Sequence, residues 1–144
     1  MRDSETSGDS STIVFDTSAI IDFLRRGEKT RKIIEQAQRE QNRIAATTIS
    51  LFELLTPIYH KRLVKEEKSI RAFARQALML GLDFASGEES SKIMGSLLRL
   101  GRPVNALDVL ISGIAVANGA DTIVTSDEDF EIIEKVANID VLLI

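Results

Sequence analysis

Four carboxylates stand alone in stretches that otherwise read as core. Asp16 is the only charge between Ser10 and Ile21, Glu53 the only one between Ile44 and Tyr59, and Asp108 the only one between Pro103 and Asn118. Asp127 directly follows the uncharged run from Thr122 to Ser126. Taking a carboxylate out of water is costly, so acids are rarely buried without a partner. No Lys or Arg lies within two positions of Asp16, Glu53 or Asp108. A divalent cation would offset the charge, and hard oxygen ligands of this kind suit Mg2+ or Mn2+. Any one of these acids could instead cap a helix or pair with a distant arginine; four in the same setting point to a metal site.

Other chemistries have less support. The chain has no Cys, which excludes a disulfide scaffold, a thiolate zinc site and a Cys nucleophile. Its one histidine, His60, stands beside Lys61 and Arg62 and reads as a surface residue, although a general base is the alternative. Thr17 and Ser18 read as helix caps rather than nucleophiles. Arg25, Arg26, Lys29, Arg31 and Lys32 follow the first acid closely and could grip phosphates, but a solvated helix face is the simpler reading. The formal charge of −4 argues against a passive nucleic-acid binder, which is usually basic, and counts no bound cation.

The elements that would position these acids are short. At 144 residues, with 44 % hydrophobic and 28 % charged residues, the chain suffices for one soluble domain. Residues 1–11 are polar, lack the apolar stretch of a signal peptide, and read as a disordered tail; 12–144 form the domain. No run approaches a membrane span, and a cytoplasmic location is expected. Strands are expected at Thr12–Phe15, Arg43–Ala46, Leu82–Phe84, Thr122–Thr125 and Val141–Ile144. Helices are expected over Ala19–Arg26, Lys29–Arg39, Leu51–Leu63 (capped by Thr48 or Ser50 and kinked at Pro57), Glu66–Leu80, Glu88–Leu100, Asn105–Ala117 and Glu128–Val136. The alternation predicts an α/β domain, a central mostly parallel sheet of about five strands with helices on both faces. Ligands of such sheets bind beyond the carboxyl ends of the strands, where Asp16 and Asp127 stand.

The residues around the acids, Ile13-Val14-Phe15-Asp16-Thr17-Ser18, Ser50-Leu51-Phe52-Glu53-Leu54, Asn105-Ala106-Leu107-Asp108-Val109-Leu110-Ile111 and Thr125-Ser126-Asp127-Glu128-Asp129-Phe130, occur in an order and spacing that resemble the PIN-domain family, especially the VapC-type toxins of VapBC toxin–antitoxin systems. The resemblance covers nearly everything from Thr12 onward. It implies a PIN-like fold and a Mg2+- or Mn2+-dependent ribonuclease. Asp16, Glu53, Asp108 and Asp127 then take the positions of the catalytic acidic quartet. Asp16, Asp108 and Asp127 are the expected metal ligands, Glu53 and Asp129 further candidates, and Thr125 the supporting hydroxyl. Two features depart from the pattern: many relatives have Gly four residues after the Glu, where this chain has Pro57, and the polar tail is longer than most relatives need.

The expected partners are an RNA substrate, an antitoxin protein, which rests on the resemblance alone, and a second copy of the chain. The homodimer follows from Leu51, Phe52, Leu54, Leu55, Ile58 and Tyr59, which cover more than one helix face and would be costly to leave in water; burial within the monomer is the competing reading. Three other functions compete: a housekeeping RNA-processing nuclease, a non-catalytic PIN-like scaffold, and a phosphatase of the haloacid dehalogenase type. The last usually carries a second Asp two residues after the first, where Ser18 stands here.

Overall fold

The computed structural model describes residues 10–144. The expectation of a disordered tail therefore lies outside the described residues over positions 1–9, while Ser11 is tied down: its N–H donates to Asn42 Oδ1 and its carbonyl accepts from the Arg43 N–H. Strand β1 (Thr12–Phe15) leads into α1 (Thr17–Leu24) and α2 (Glu28–Glu40). Strand β2 (Arg43–Thr47) leads into α3 (Thr48–Lys61) and α4 (Val64–Gln76). Strand β3 (Leu78–Leu80) leads into α5 (Phe84–Arg99) and α6 (Ala106–Ala117). Strand β4 (Thr122–Thr125) is followed by α7 (Asp129–Glu134), and β5 (Asp140–Leu143) comes last.

The five strands form one sheet in the order β3-β2-β1-β4-β5, and every neighbouring pair is parallel. All carboxyl ends thus point the same way. The chain adds strands outward from β1 on one side, then crosses to add β4 and β5 on the other. The β1/β4 boundary is the switch point, where diverging connections leave a crevice beyond the strand ends. The register pairs Phe15 with Val124, which sets Asp16 next to Thr125.

Alternation along the strands builds a core on each face. Val14, Ala45 and Ile123 face α5, α6 and α7, where Ile93, Leu97, Ile111, Phe130 and Ile133 are buried. Phe15, Ala46 and Val124 face the other way, against Ala19 and Ile20 of α1, Leu54 and Ile58 of α3 and Ile70 of α4. Helices α5 and α6 pack so closely that a Cβ on Gly113 would stand 1.9 Å from Ser90 Oγ and 2.7 Å from its backbone nitrogen. Among the described residues, no helix is long and apolar enough to cross a membrane.

Three local expectations are corrected. The third strand is Leu78–Leu80, not Leu82–Phe84: α4 stops at Gln76, Ala77 turns extended, and Leu78, Met79 and Leu80 pair with Ala45, Ala46 and Thr47. Phe84 instead opens α5, because Asp83 and Ser86 form a reciprocal capping box that starts the helix before the expected Glu88. The cap of α3 is Thr47, whose hydroxyl accepts from the Ser50 N–H, rather than Thr48 or Ser50. Helix α3 also runs through Pro57. Since proline has no N–H, the carbonyl of Glu53, four residues earlier, loses its usual helical donor.

Candidate active site

Asp16 is the residue immediately after β1 and is 3 % exposed. Its backbone N–H still donates to the Val124 carbonyl, so it enters the site on a rigid strand end. Its side chain caps α1. Oδ1 accepts from the Ala19 N–H at 2.9 Å and from the Ser18 hydroxyl at 2.7 Å, while Oδ2 accepts from the Thr125 hydroxyl at 2.6 Å. The expectation that Thr17 or Ser18 caps this helix is thereby corrected, because the acid itself is the cap. Burial pushes the Asp16 carboxyl above its ordinary 3.8. The bonds from Thr125, Ala19 and Ser18 pull it back down in part, and the charge of Asp127 adds to the rise.

Thr125, the last residue of β4, is fully buried. Besides donating to Asp16, it accepts the Asp127 N–H at 2.9 Å, so one hydroxyl fixes two of the four acids relative to each other. Asp127 in turn accepts the Asp129 N–H through Oδ1 and directs the start of α7. Glu53, in the second turn of α3, is half-buried, and the Thr17 hydroxyl donates to its Oε1 at 2.5 Å. That hydroxyl also lies 2.9 Å from Ser50 Oγ. Asp108 is in the first turn of α6, whose cap is Asn105, as expected; the Asn105 side chain accepts from the Leu107 N–H.

The acids converge on Asp108. Its pKa is pushed up to about 7, first by burial and then by the charges of Asp127, Asp16, Glu53 and Asp129. Four carboxylates thus lie within electrostatic reach of a fifth, Asp108. Oxygens of Asp108, Asp127 and Asp129 lie within 4.8 Å of one another, a spacing that a single cation could bridge. Among the described residues the ion pairs are Arg31–Glu35, Lys32–Glu28, Arg71–Glu67 and Lys92–Glu89, all surface pairs within a helix, and none includes any of the five acids. Among the described residues the cluster is therefore built of hard oxygen donors with uncompensated negative charge, and it fits a hard divalent cation rather than a soft one. His60 is exposed, as expected of a surface residue.

Thr17, Ser18 and Ser50 were not distinguished in the sequence as orienting groups. The only available signal was a hydroxyl pair directly after Asp16 and a Ser three residues before Glu53, a pattern that ordinary capping also produces.

The fold is that of a known class. The PIN-domain family model matches residues 13–136, and the chain belongs to the PIN-domain family. Solved structures share the whole architecture. A chain of VapBC2 from Rickettsia felis, bound to a promoter DNA fragment, is similar at 17 % identity with a TM-score of 0.81, over 92 % of this chain and 98 % of that one. A chain of DNA-bound VapBC from Salmonella typhimurium is similar at 23 % identity and a TM-score of 0.73, over 92 % and 97 %. A chain of FitAcB from Neisseria gonorrhoeae is similar at 20 % identity and a TM-score of 0.69, over 90 % and 96 %. At such identities the likeness is one of fold. No curated protein matches the chain.

Proposed function

We propose that this chain is a metal-dependent endoribonuclease that hydrolyses RNA phosphodiester bonds as the toxin of a toxin–antitoxin pair, with Asp16, Glu53, Asp108 and Asp127 as its catalytic acids. The observation that carries the reading is the state of Asp108. A carboxyl pushed up to about 7 by burial and then by four neighbouring acids, with oxygens of Asp108, Asp127 and Asp129 within 4.8 Å of one another and no cation paired to any of the five among the described residues, supports a site for Mg2+ or Mn2+. Bound there, such an ion would supply Lewis acidity at the scissile phosphate and make an attacking water acidic.

The chain's own residues then have separate tasks. Asp108 and Asp127, with Asp129 beside them, would hold the cation. Asp16, locked by three donors, presents a fixed charge at the base of the crevice; its tight hydrogen bonding leaves it little freedom to move during turnover. Glu53, tethered by Thr17 through one oxygen, keeps the other to orient the attacking water. Thr125 sets the distance between Asp16 and Asp127 without touching substrate.

The toxin role rests on the likeness to VapBC structures, one of which, from Mycobacterium tuberculosis, is described as a member of the VapBC family of toxin–antitoxin systems. An open acidic crevice can be shut by an inserted arginine that pairs with the carboxylates and displaces the cation, which is the physical logic of an antitoxin partner. A homodimer is supported by Phe52 and Tyr59, which sit seven apart on one side of α3 and are 60 % and 65 % exposed, whereas Leu54 and Ile58 are buried. A cytoplasmic enzyme acting on cellular RNA fits the whole picture. The test is incubation of purified protein with RNA and Mn2+ or Mg2+, with and without EDTA, together with co-expression of the neighbouring reading frame. Cleavage that EDTA stops and a neighbour that co-purifies and relieves growth arrest are the expected results. Cleavage without such a neighbour would reassign the chain to housekeeping RNA processing, and no cleavage at all would leave a binding scaffold.

A further inference from the structure

The basic residues that follow the first acid in sequence do not share one fate. Arg31 is paired with Glu35 and Lys32 with Glu28 along the outside of α2. Arg25 and Lys29 are exposed and, among the described residues, their side chains enter no ion pair or hydrogen bond. Both line a cleft with Ser18, Ile21, Asp22, Glu28, Ser126 and Ile144. Of the acids in this cleft, Glu28 pairs with Lys32, and Asp22 accepts the Thr30 hydroxyl at 2.8 Å.

One wall of the cleft is also a wall of the acidic site. The Ser18 hydroxyl donates to Asp16 and accepts the Ser126 N–H at 2.8 Å, and Ser126 directly precedes Asp127. From Ser18 the cleft follows one side of α1 through Ile21 and Asp22 to Arg25, which continues the helix as its C-terminal cap. Seven residues at 1.5 Å each put Arg25 about 10 Å from Ser18 along the axis. A phosphate held at Arg25 would be a neighbour of the scissile one on the same strand.

We propose that Arg25 and Lys29 bind the RNA backbone where the strand leaves the acidic crevice, positioning it for cleavage without touching the reacting atoms. The physical need is plain. Five carboxylates outweigh the charge of one divalent cation, so the flanking phosphates of a polyanion need further cations set beside the cluster. The inference rests on the ribonuclease reading and specifies how that site holds its substrate.

The experiment compares wild type, Arg25→Ala/Lys29→Ala and, as a charge-matched control, Lys61→Ala/Lys65→Ala, whose residues are exposed on the far end of α3 and the start of α4. Cleavage kinetics are measured on a single-stranded RNA, and binding of the same RNA is measured against salt concentration in the Asp108→Asn background. The first double variant should raise KM severalfold with little change in kcat, and should flatten the slope of log K against log salt by about 1.4, at about 0.7 per lost phosphate contact. The control should leave both unchanged. If the wild type cleaves and Arg25→Ala/Lys29→Ala leaves KM and slope unchanged, this inference alone is overturned. Absence of cleavage by wild type, with no salt-dependent RNA binding, would overturn the ribonuclease reading and this inference with it.

Discussion

The Thr125 hydroxyl donates to Asp16 Oδ2 at 2.6 Å, joining the ends of two adjacent parallel strands that lie 109 residues apart in sequence. Because the same oxygen accepts the Asp127 N–H, this threonine sets where two acids stand. Thr125→Val keeps the shape and removes both bonds. It is expected to weaken Mn2+ binding and RNA cleavage by about 10- to 100-fold, the usual cost of losing a group that orients metal ligands. Thr125→Ser should restore most of both. Calorimetric titration with Mn2+ measures it, and full affinity in the valine variant would show that Thr125 only fills space.

Acid pH should stabilise the metal-free protein. Burial and neighbouring acids raise Asp108 from 3.8 to about 7, and burial raises Asp16 in the same direction. Between those values the folded chain binds a proton that the unfolded chain does not, so stability rises as pH falls from about 7 toward the ordinary carboxyl value, and is lost again as pH climbs back. Protons and cation compete for the same oxygens, so metal affinity and cleavage should fall over the same window. Asp16→Asn, which still caps α1, should raise the metal-free melting temperature and shrink the gain from Mn2+. Thermal melts in EDTA across this range decide the matter; a melting temperature that rises with pH there contradicts the description of the cluster.

Much of this was legible in the sequence, for physical reasons that differ by residue. Asp16, Glu53 and Asp108 stood out because a charge in an apolar run demands an explanation, and the structure brings Asp16, Glu53 and Asp127 within electrostatic reach of Asp108. Strands β1 and β4 were read at their true bounds, since short β-branched runs beside a turn allow little else. Strand β3 was misplaced because Ala77 continues the helical spacing of Ile70, Phe73 and Ala74; only pairing with β2, a contact more than thirty residues away in sequence, ends the helix at Gln76. The bonds from Thr17 to Glu53 and from Ser18 to Asp16 were hidden, because Thr and Ser after an acid mean a cap in most contexts.

Gly113 should tolerate no side chain. Its missing Cβ would meet Ser90 Oγ, N and Cα, and two of these are backbone atoms that cannot move aside. Gly113→Ala is expected to cost about 1–3 kcal/mol by forcing α5 and α6 apart. Ser90→Ala should not rescue it, since the backbone contacts remain. Urea unfolding of the single and double variants reads this directly, and an unchanged midpoint would mean that the two helices are not held at this separation.

Phe52 and Tyr59 give the assembly prediction. Replacing both with Asp should convert a dimeric wild type to monomer without unfolding it, because neither side chain belongs to either buried cluster. Sedimentation velocity at micromolar concentration distinguishes the cases. A wild type already monomeric there would remove the dimer and require another cover for that side of α3.

The most direct measurement is RNA cleavage by wild type and by Asp108→Asn, each with Mn2+ and with EDTA. Asparagine keeps the shape at the start of α6 and removes the charge on which the other acids converge. The expected result is metal-dependent cleavage by wild type and at least about a 100-fold loss in the folded variant, in keeping with the several kcal/mol of transition-state stabilisation that a bound metal provides. Cleavage by Asp108→Asn at the wild-type rate, or by wild type in EDTA, would contradict the assignment of this acidic cluster as the catalytic centre.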